Sequence, residues 1–115
     1  MVLKYMENNK DDKYYIDKMK THFVRIIDTI AEVSYEDYLR DLDKQDITMF
    51  NLIQISQNAK MISSEYKDNN IDIPWTDIYG LRNRIVHDYG NVALDIVYQT
   101  LVNDIPSLYK KLNKK

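Results

Sequence analysis

The chain has 115 residues, 44% hydrophobic and 30% charged, with no cysteine, so it suits one domain (residues 1–115) and excludes disulfide scaffolds, thiol chemistry and zinc–thiolate sites. No apolar run approaches the roughly 18–20 residues of a membrane span, and Met1–Lys10 lacks a signal-peptide core, so a cytoplasmic protein without membrane contact is expected. Sixteen basic and eighteen acidic residues leave a net charge of −2, so any nucleic-acid contact must come from a local cluster.

Two glycines and two prolines are too few for the turns of an all-β domain or for a phosphate-binding loop, which makes the chain all-helical. A first helix is expected from about Asp11 to Val33, where Ile16, Met19, Phe23, Ile26, Ile27, Ile30 and Val33 recur at spacings of three and four. Ser34, with Asp37 three residues on, reads as the cap of a short helix from Tyr35 to about Leu42. Asp46 reads as the cap of a third helix to about Tyr66, with Met49, Leu52, Ile53, Ala59 and Ile62 inward. Lys67–Asn70 is a polar loop, and Pro74 fits the first position of a fourth helix that Gly90 terminates. Asn91 can cap a fifth helix, which Pro106 should kink or divide, and residues 1–10 and 113–115 are expected to fray. The sum is an up-and-down bundle of four long helices plus a short accessory one.

Chemistry concentrates in Gly80–Gly90, which holds Arg82, Asn83, Arg84, His87, Asp88 and Tyr89. Asn83 and His87 are i,i+4 neighbours, whereas Arg82 and His87 stand about 140° apart on a regular helix. As plain structure, the segment is a helix end with an Arg84–Asp88 surface pair. Gly80 suits a close approach by another helix or by a ligand backbone. Elsewhere, His22 reads as a surface residue, Asp41, Asp43 and Asp46 as caps and punctuation without a metal signature, and Trp75 as an anchor in the core or an interface.

Arg82, four residues, His87, one residue and Tyr89 match the R-x4-H-x-Y motif of the HEPN superfamily. The chain resembles, more narrowly, the HepT toxins of HepT–MntA toxin–antitoxin pairs. Ser34–Leu39, Leu52–Ser56, Ile73–Trp75 and Asn103–Leu108 also fall in that family's order. The resemblance implies a HEPN-like fold and a homodimeric, metal-independent endoribonuclease without a cofactor, whose substrate is RNA and not DNA. It implies Arg82 and His87 as catalytic residues, Asn83 and Arg84 as substrate-positioning ones, and a cleft lined by both copies. It further implies that an MntA-like minimal nucleotidyltransferase antitoxin adds AMP to Tyr89. One residue departs from the pattern: Gln57 stands where many relatives carry glutamate. The alternative is a non-catalytic helical adaptor that binds a nucleotidyltransferase or a nucleotide.

Overall fold

Helix α1 (Asp12–Ile30) starts at Asp11, whose carboxylate accepts a hydrogen bond from the Tyr14 backbone N–H at 2.9 Å. The computed structural model describes residues 10–88 and 93–115, without the side chains of Arg84, Val86, His87 and Asp88. The α1 stripe is buried as its spacing requires, with Met19 and Ile26 fully enclosed. The helix stops three residues short of Val33 because the chain turns sharply: Ala31 leaves the helical region and Glu32 takes a left-handed φ of 59°. That turn delivers Ser34 to its place. Its hydroxyl accepts from the Asp37 N–H at 3.1 Å and starts α2 (Tyr35–Arg40), as the sequence predicts.

The third helix begins earlier than expected. Asp41, and not Asp46, is the cap of α3 (Leu42–Lys60): it accepts from the Lys44 N–H at 3.0 Å, which also holds its carboxyl below the usual range. Asp46 lies inside the helix, since nothing between Asp43 and Asp46 breaks it. One residue therefore closes α2 and opens α3. Tyr38, fully buried beneath this corner, shares a 2.8 Å hydrogen bond with Thr48, and burial raises its phenol pKa.

Helix α3 also ends earlier, at Lys60 rather than near Tyr66. Ser63 opens a separate helix, α4 (Ser64–Asp68), by accepting from the Tyr66 N–H. Asp12 at the start of α1 fixes Ser63 from a distance, accepting its backbone N–H at 2.8 Å and its hydroxyl at 2.6 Å. Pro74 stands one residue before α5 (Trp75–Asp88), its carbonyl accepting from the Ile78 N–H at 3.1 Å. Trp75 is a core anchor, edge-on to Tyr66 and donating its indole N–H to the Asn70 carbonyl at 3.1 Å.

The last helical stretch comprises α6 (Leu94–Gln99), a π-turn (Thr100–Asp104) and α7 (Ile105–Asn113). Pro106 divides it, as expected: proline has no N–H to donate and its ring crowds the carbonyl four residues back. The backbone widens before it, so the Ile105 N–H donates to the Thr100 carbonyl five residues earlier. The expected caps at the other end, Gly90 and Asn91, lie outside the described residues. At the tail, Lys115 Nζ meets Asp72 Oδ1 at 2.7 Å and Lys111 donates to the Asp72 carbonyl.

The result is an all-α bundle with no strand among the described residues. Helix α3 packs against both α1 and α5, and α1 in turn against α7. No helix among the described residues is long and apolar enough to cross a membrane.

Candidate functional site

Helix α5 carries the dense segment, and its core side holds it in place. Ile78 and Ile85, seven residues apart, are both buried, so the helix presents one face inward along its length. Ser56 on α3 is fully buried and donates its hydroxyl to the Tyr79 carbonyl at 3.1 Å, tying the two helices together just before Arg82. On the other flank, Lys67 lies 4.9 Å from the Tyr79 ring centroid.

Arg82, half-buried, flanks the inward face and lines a concavity of about 430 Å³ with Gln54, Gln57, Asn58, Lys60 and Met61. Among the described residues, two cations, three amides and a thioether form this lining, with no carboxylate, and Gln57 stands there in place of the glutamate that the resemblance would supply. Such a lining offers N–H donors and positive charge to an anion, which is the requirement for a phosphate.

Asn83, the next residue, is exposed. Arg84 and His87 are helical residues of α5, their side chains outside the described set, so the Arg84–Asp88 pair lies outside it too. Tyr89 lies outside the described residues altogether. Because α5 is helical through Asp88, the backbone positions of Arg82 and His87 stand about 140° apart around its axis. The helix brings Arg82 to the α3 concavity.

Two expectations are corrected. Gly80 was expected to admit another helix or a ligand backbone; a Cβ there would meet nothing within 4 Å, so no described helix of this chain leans on it. His22 was expected at the surface and is only 7% exposed, its Nδ1 2.7 Å from Asn51 Oδ1. The Asn51 amide donates to the Ile47 carbonyl, which leaves its oxygen facing His22 and assigns the proton to Nδ1. The missed signal is spacing: His22 lies three residues after Met19 and four before Ile26, on the edge of the buried stripe. Sequence reasoning also missed Gln54, Asn58 and Lys60 as neighbours of Arg82. Among the described residues, no group of three or more His, Asp and Glu is arranged to hold a metal ion.

The chain is similar to a protein of Thermococcus cleftensis named a probable ribonuclease HepT, with 28% identity over 105 residues, 91% of this chain and 96% of that one. It is also similar to a protein of Caldanaerobacter subterraneus subsp. tengcongensis named as a candidate RNase, with 24% identity over 91% of this chain and 94% of the relative. A third relative, from Methanocaldococcus jannaschii and also named as a candidate RNase, is 20% identical over 91% and 87%. No solved structure matches the chain significantly. The family model described as ribonuclease HepT-like matches residues 19–114, from the middle of α1 to the end of α7. With that match and an all-α HEPN-like bundle, the chain belongs to the HepT-like ribonuclease family.

Proposed function

We propose that the chain is the toxin of a toxin–antitoxin pair, an endoribonuclease that cuts RNA without a metal ion at a site composed from two copies. The observation that carries this reading is the family match over residues 19–114, joined to the Arg82-x4-His87-x-Tyr89 spacing within it. The concavity around Arg82 supports it, because its described lining of cations and amides suits the phosphate of the bond to be cut.

The chemistry follows from what RNA carries. A neutral imidazole removes the proton of the 2′-hydroxyl, and the 2′-oxygen attacks the adjacent phosphorus. The bond from phosphorus to the 5′-oxygen breaks, and a protonated imidazole supplies that oxygen with its proton, leaving a 2′,3′-cyclic phosphate and a 5′-hydroxyl. An imidazole near its ordinary pKa of about 6.5 serves either role, contributing about 10²–10⁴-fold. One imidazole does not serve both in one step, so His87 and the partner's His87 divide them. Arg82 holds the non-bridging oxygens as charge builds on them. Asn83 and Arg84 position substrate. DNA, lacking the 2′-hydroxyl, is not cut.

Control runs through Tyr89. An MntA-like nucleotidyltransferase presents ATP, the Tyr89 oxygen attacks the α-phosphorus, pyrophosphate leaves and the phenolic proton passes to solvent. The new phosphodiester, two residues from His87, sets negative charge and an adenosine where RNA must lie. The test of this step is the intact mass after incubation with that partner and ATP. An AMP-sized increment lost in Tyr89→Phe is expected, and an increment unchanged in that variant overturns it. Cleavage of cellular RNA in chelator, compared among wild type, Arg82→Ala and His87→Ala, separates the nuclease from a non-catalytic adaptor.

A further inference from the structure

The concavity beside Arg82 is larger than the phosphate assigned to it. Its volume of about 430 Å³ admits about fourteen water-sized atoms at about 30 Å³ each, of which a phosphate takes about five. The space left over matches the heavy atoms of a nucleic-acid base, which number about ten in a purine.

Its walls are of the kind that reads a base edge. Gln54, Gln57, Asn58 and Met61 recur at i, i+3, i+4 and i+7, so one face of α3 and its end supplies all of them. The Gln54 and Gln57 amides have no hydrogen-bond partner among the described residues, and neither has the exposed Lys60 ammonium. Asn58 donates one amide N–H to the Gln54 carbonyl at 2.8 Å, which holds its side chain in place. Met61, 59% exposed, offers a polarizable thioether to an aromatic ring. Helix α3 also ends here: the Met61 N–H turns to the Asn58 carbonyl at 3.1 Å, so the Gln57 carbonyl loses its regular helical donor.

We propose that this space is a base subsite, which takes the base of a nucleotide next to the cleaved bond and favours guanine. The preference follows from the balance of donors and acceptors. Guanine O6 and N7 are adjacent acceptors, which suit the Lys60 ammonium. Its N1–H and amino group are donors, and the oxygens of the Gln54 and Gln57 amides accept them, with the terminal carbonyls of α3 behind. Adenine sets an amino group beside N7, a donor against the ammonium. Cytosine carries its amino group too, and the carboxylate that reads it best is absent from the described lining. Uracil offers acceptors but lacks the second ring, so it leaves part of the space without contacts.

The inference rests on the proposed function in one respect: Arg82 holds the phosphate, and the continuity of the strand sets a base beside it. Gln54, Gln57 and Lys60 then recognise substrate and move no proton.

Binding measured apart from cleavage tests the subsite. Wild type is titrated calorimetrically with the 3′- and 5′-monophosphates of guanosine, adenosine, cytidine and uridine. The tighter guanosine nucleotide is expected to bind about tenfold more strongly than its cytidine counterpart. Lys60→Met and Gln57→Leu lie at exposed positions, and circular dichroism checks that both variants fold. Each should bring that ratio toward one. The charge lost with Lys60 weakens phosphate binding for all four bases alike, so the ratio isolates the base contact. Arg82→Ala should weaken all four and leave the ratio unchanged. Equal binding of the four bases by wild type, no binding of any up to about 10 mM, or an unchanged ratio in the combined Lys60→Met and Gln57→Leu variant overturns the proposal. Cleavage of a mixed-sequence RNA by the same samples, with the product ends sequenced, keeps the two readings apart. Base-selective binding without cleavage supports the subsite and tells against the nuclease. Cleavage that depends on Arg82 and His87 yet falls equally at all bases supports the nuclease and overturns the subsite.

Discussion

The Ser56 hydroxyl reaches the Tyr79 carbonyl at 3.1 Å across twenty-three residues of sequence, and this bond sets the height of α5 against α3. Arg82 follows Tyr79 by less than one turn, so its register with Gln54 and Gln57 depends on that contact. Ser56→Ala is expected to lower stability by about 1 kcal/mol, the net worth of one buried hydrogen bond. Urea denaturation measures it. A change within experimental error would show that α5 is held by Ile78 and Ile85 alone.

The His22–Asn51 pair is a second buried link, between α1 and α3. Asn51→Ala leaves the Nδ1–H of His22 without an acceptor, and a loss of about 1–3 kcal/mol is expected. Nitrogen chemical shifts of the imidazole should show the proton on Nδ1 in the wild type. A proton on Nε2 would contradict the assignment.

These two bonds mark what the sequence could and could not disclose. Ser34 was legible as a cap because its partner, the Asp37 N–H, lies three residues away. Asp41 and Asp46 were harder to tell apart, since either aspartate could cap and only the backbone turn at Asp41 decides. Helix α4 was hidden because its cap, Ser63, is braced by Asp12 fifty-one residues earlier. The site divides the same way. Arg82, His87 and Tyr89 are visible as a motif within eight residues of sequence, whereas the lining around Arg82 comes from α3 and exists only once the two helices are packed.

Gly80 separates stability from function. With no described atom of another helix within 4 Å of its Cβ position, Gly80→Ala should stabilise the protein by about 0.5–1 kcal/mol through helix propensity. If a second copy or the RNA backbone comes close at this point, the same substitution lowers the cleavage rate. A melting curve and a rate measured together read both effects. Destabilisation would indicate a contact within the chain that the structure does not contain.

Asp72 gives a pH signature. The hydrogen bond from the Lys115 ammonium, with its charge, holds the Asp72 carboxyl below the usual carboxylate range. A lowered folded-state value means that the contact stabilises the fold above the unfolded pKa of about 3.9 and is lost as pH falls through the lower folded one. Titration of the carboxyl carbon should show a depressed midpoint that moves up toward the ordinary range in Lys115→Met. No movement would mean that the C-terminal tie is absent in solution.

The most direct measurement is cleavage of a defined single-stranded RNA by purified protein in excess chelator, with Arg82→Ala and His87→Ala beside it. Wild type should release products ending in a 2′,3′-cyclic phosphate, with each variant slower by about 10²-fold or more. Equal rates in wild type and both variants, or cleavage abolished by chelator alone, would contradict a metal-independent site built on Arg82 and His87.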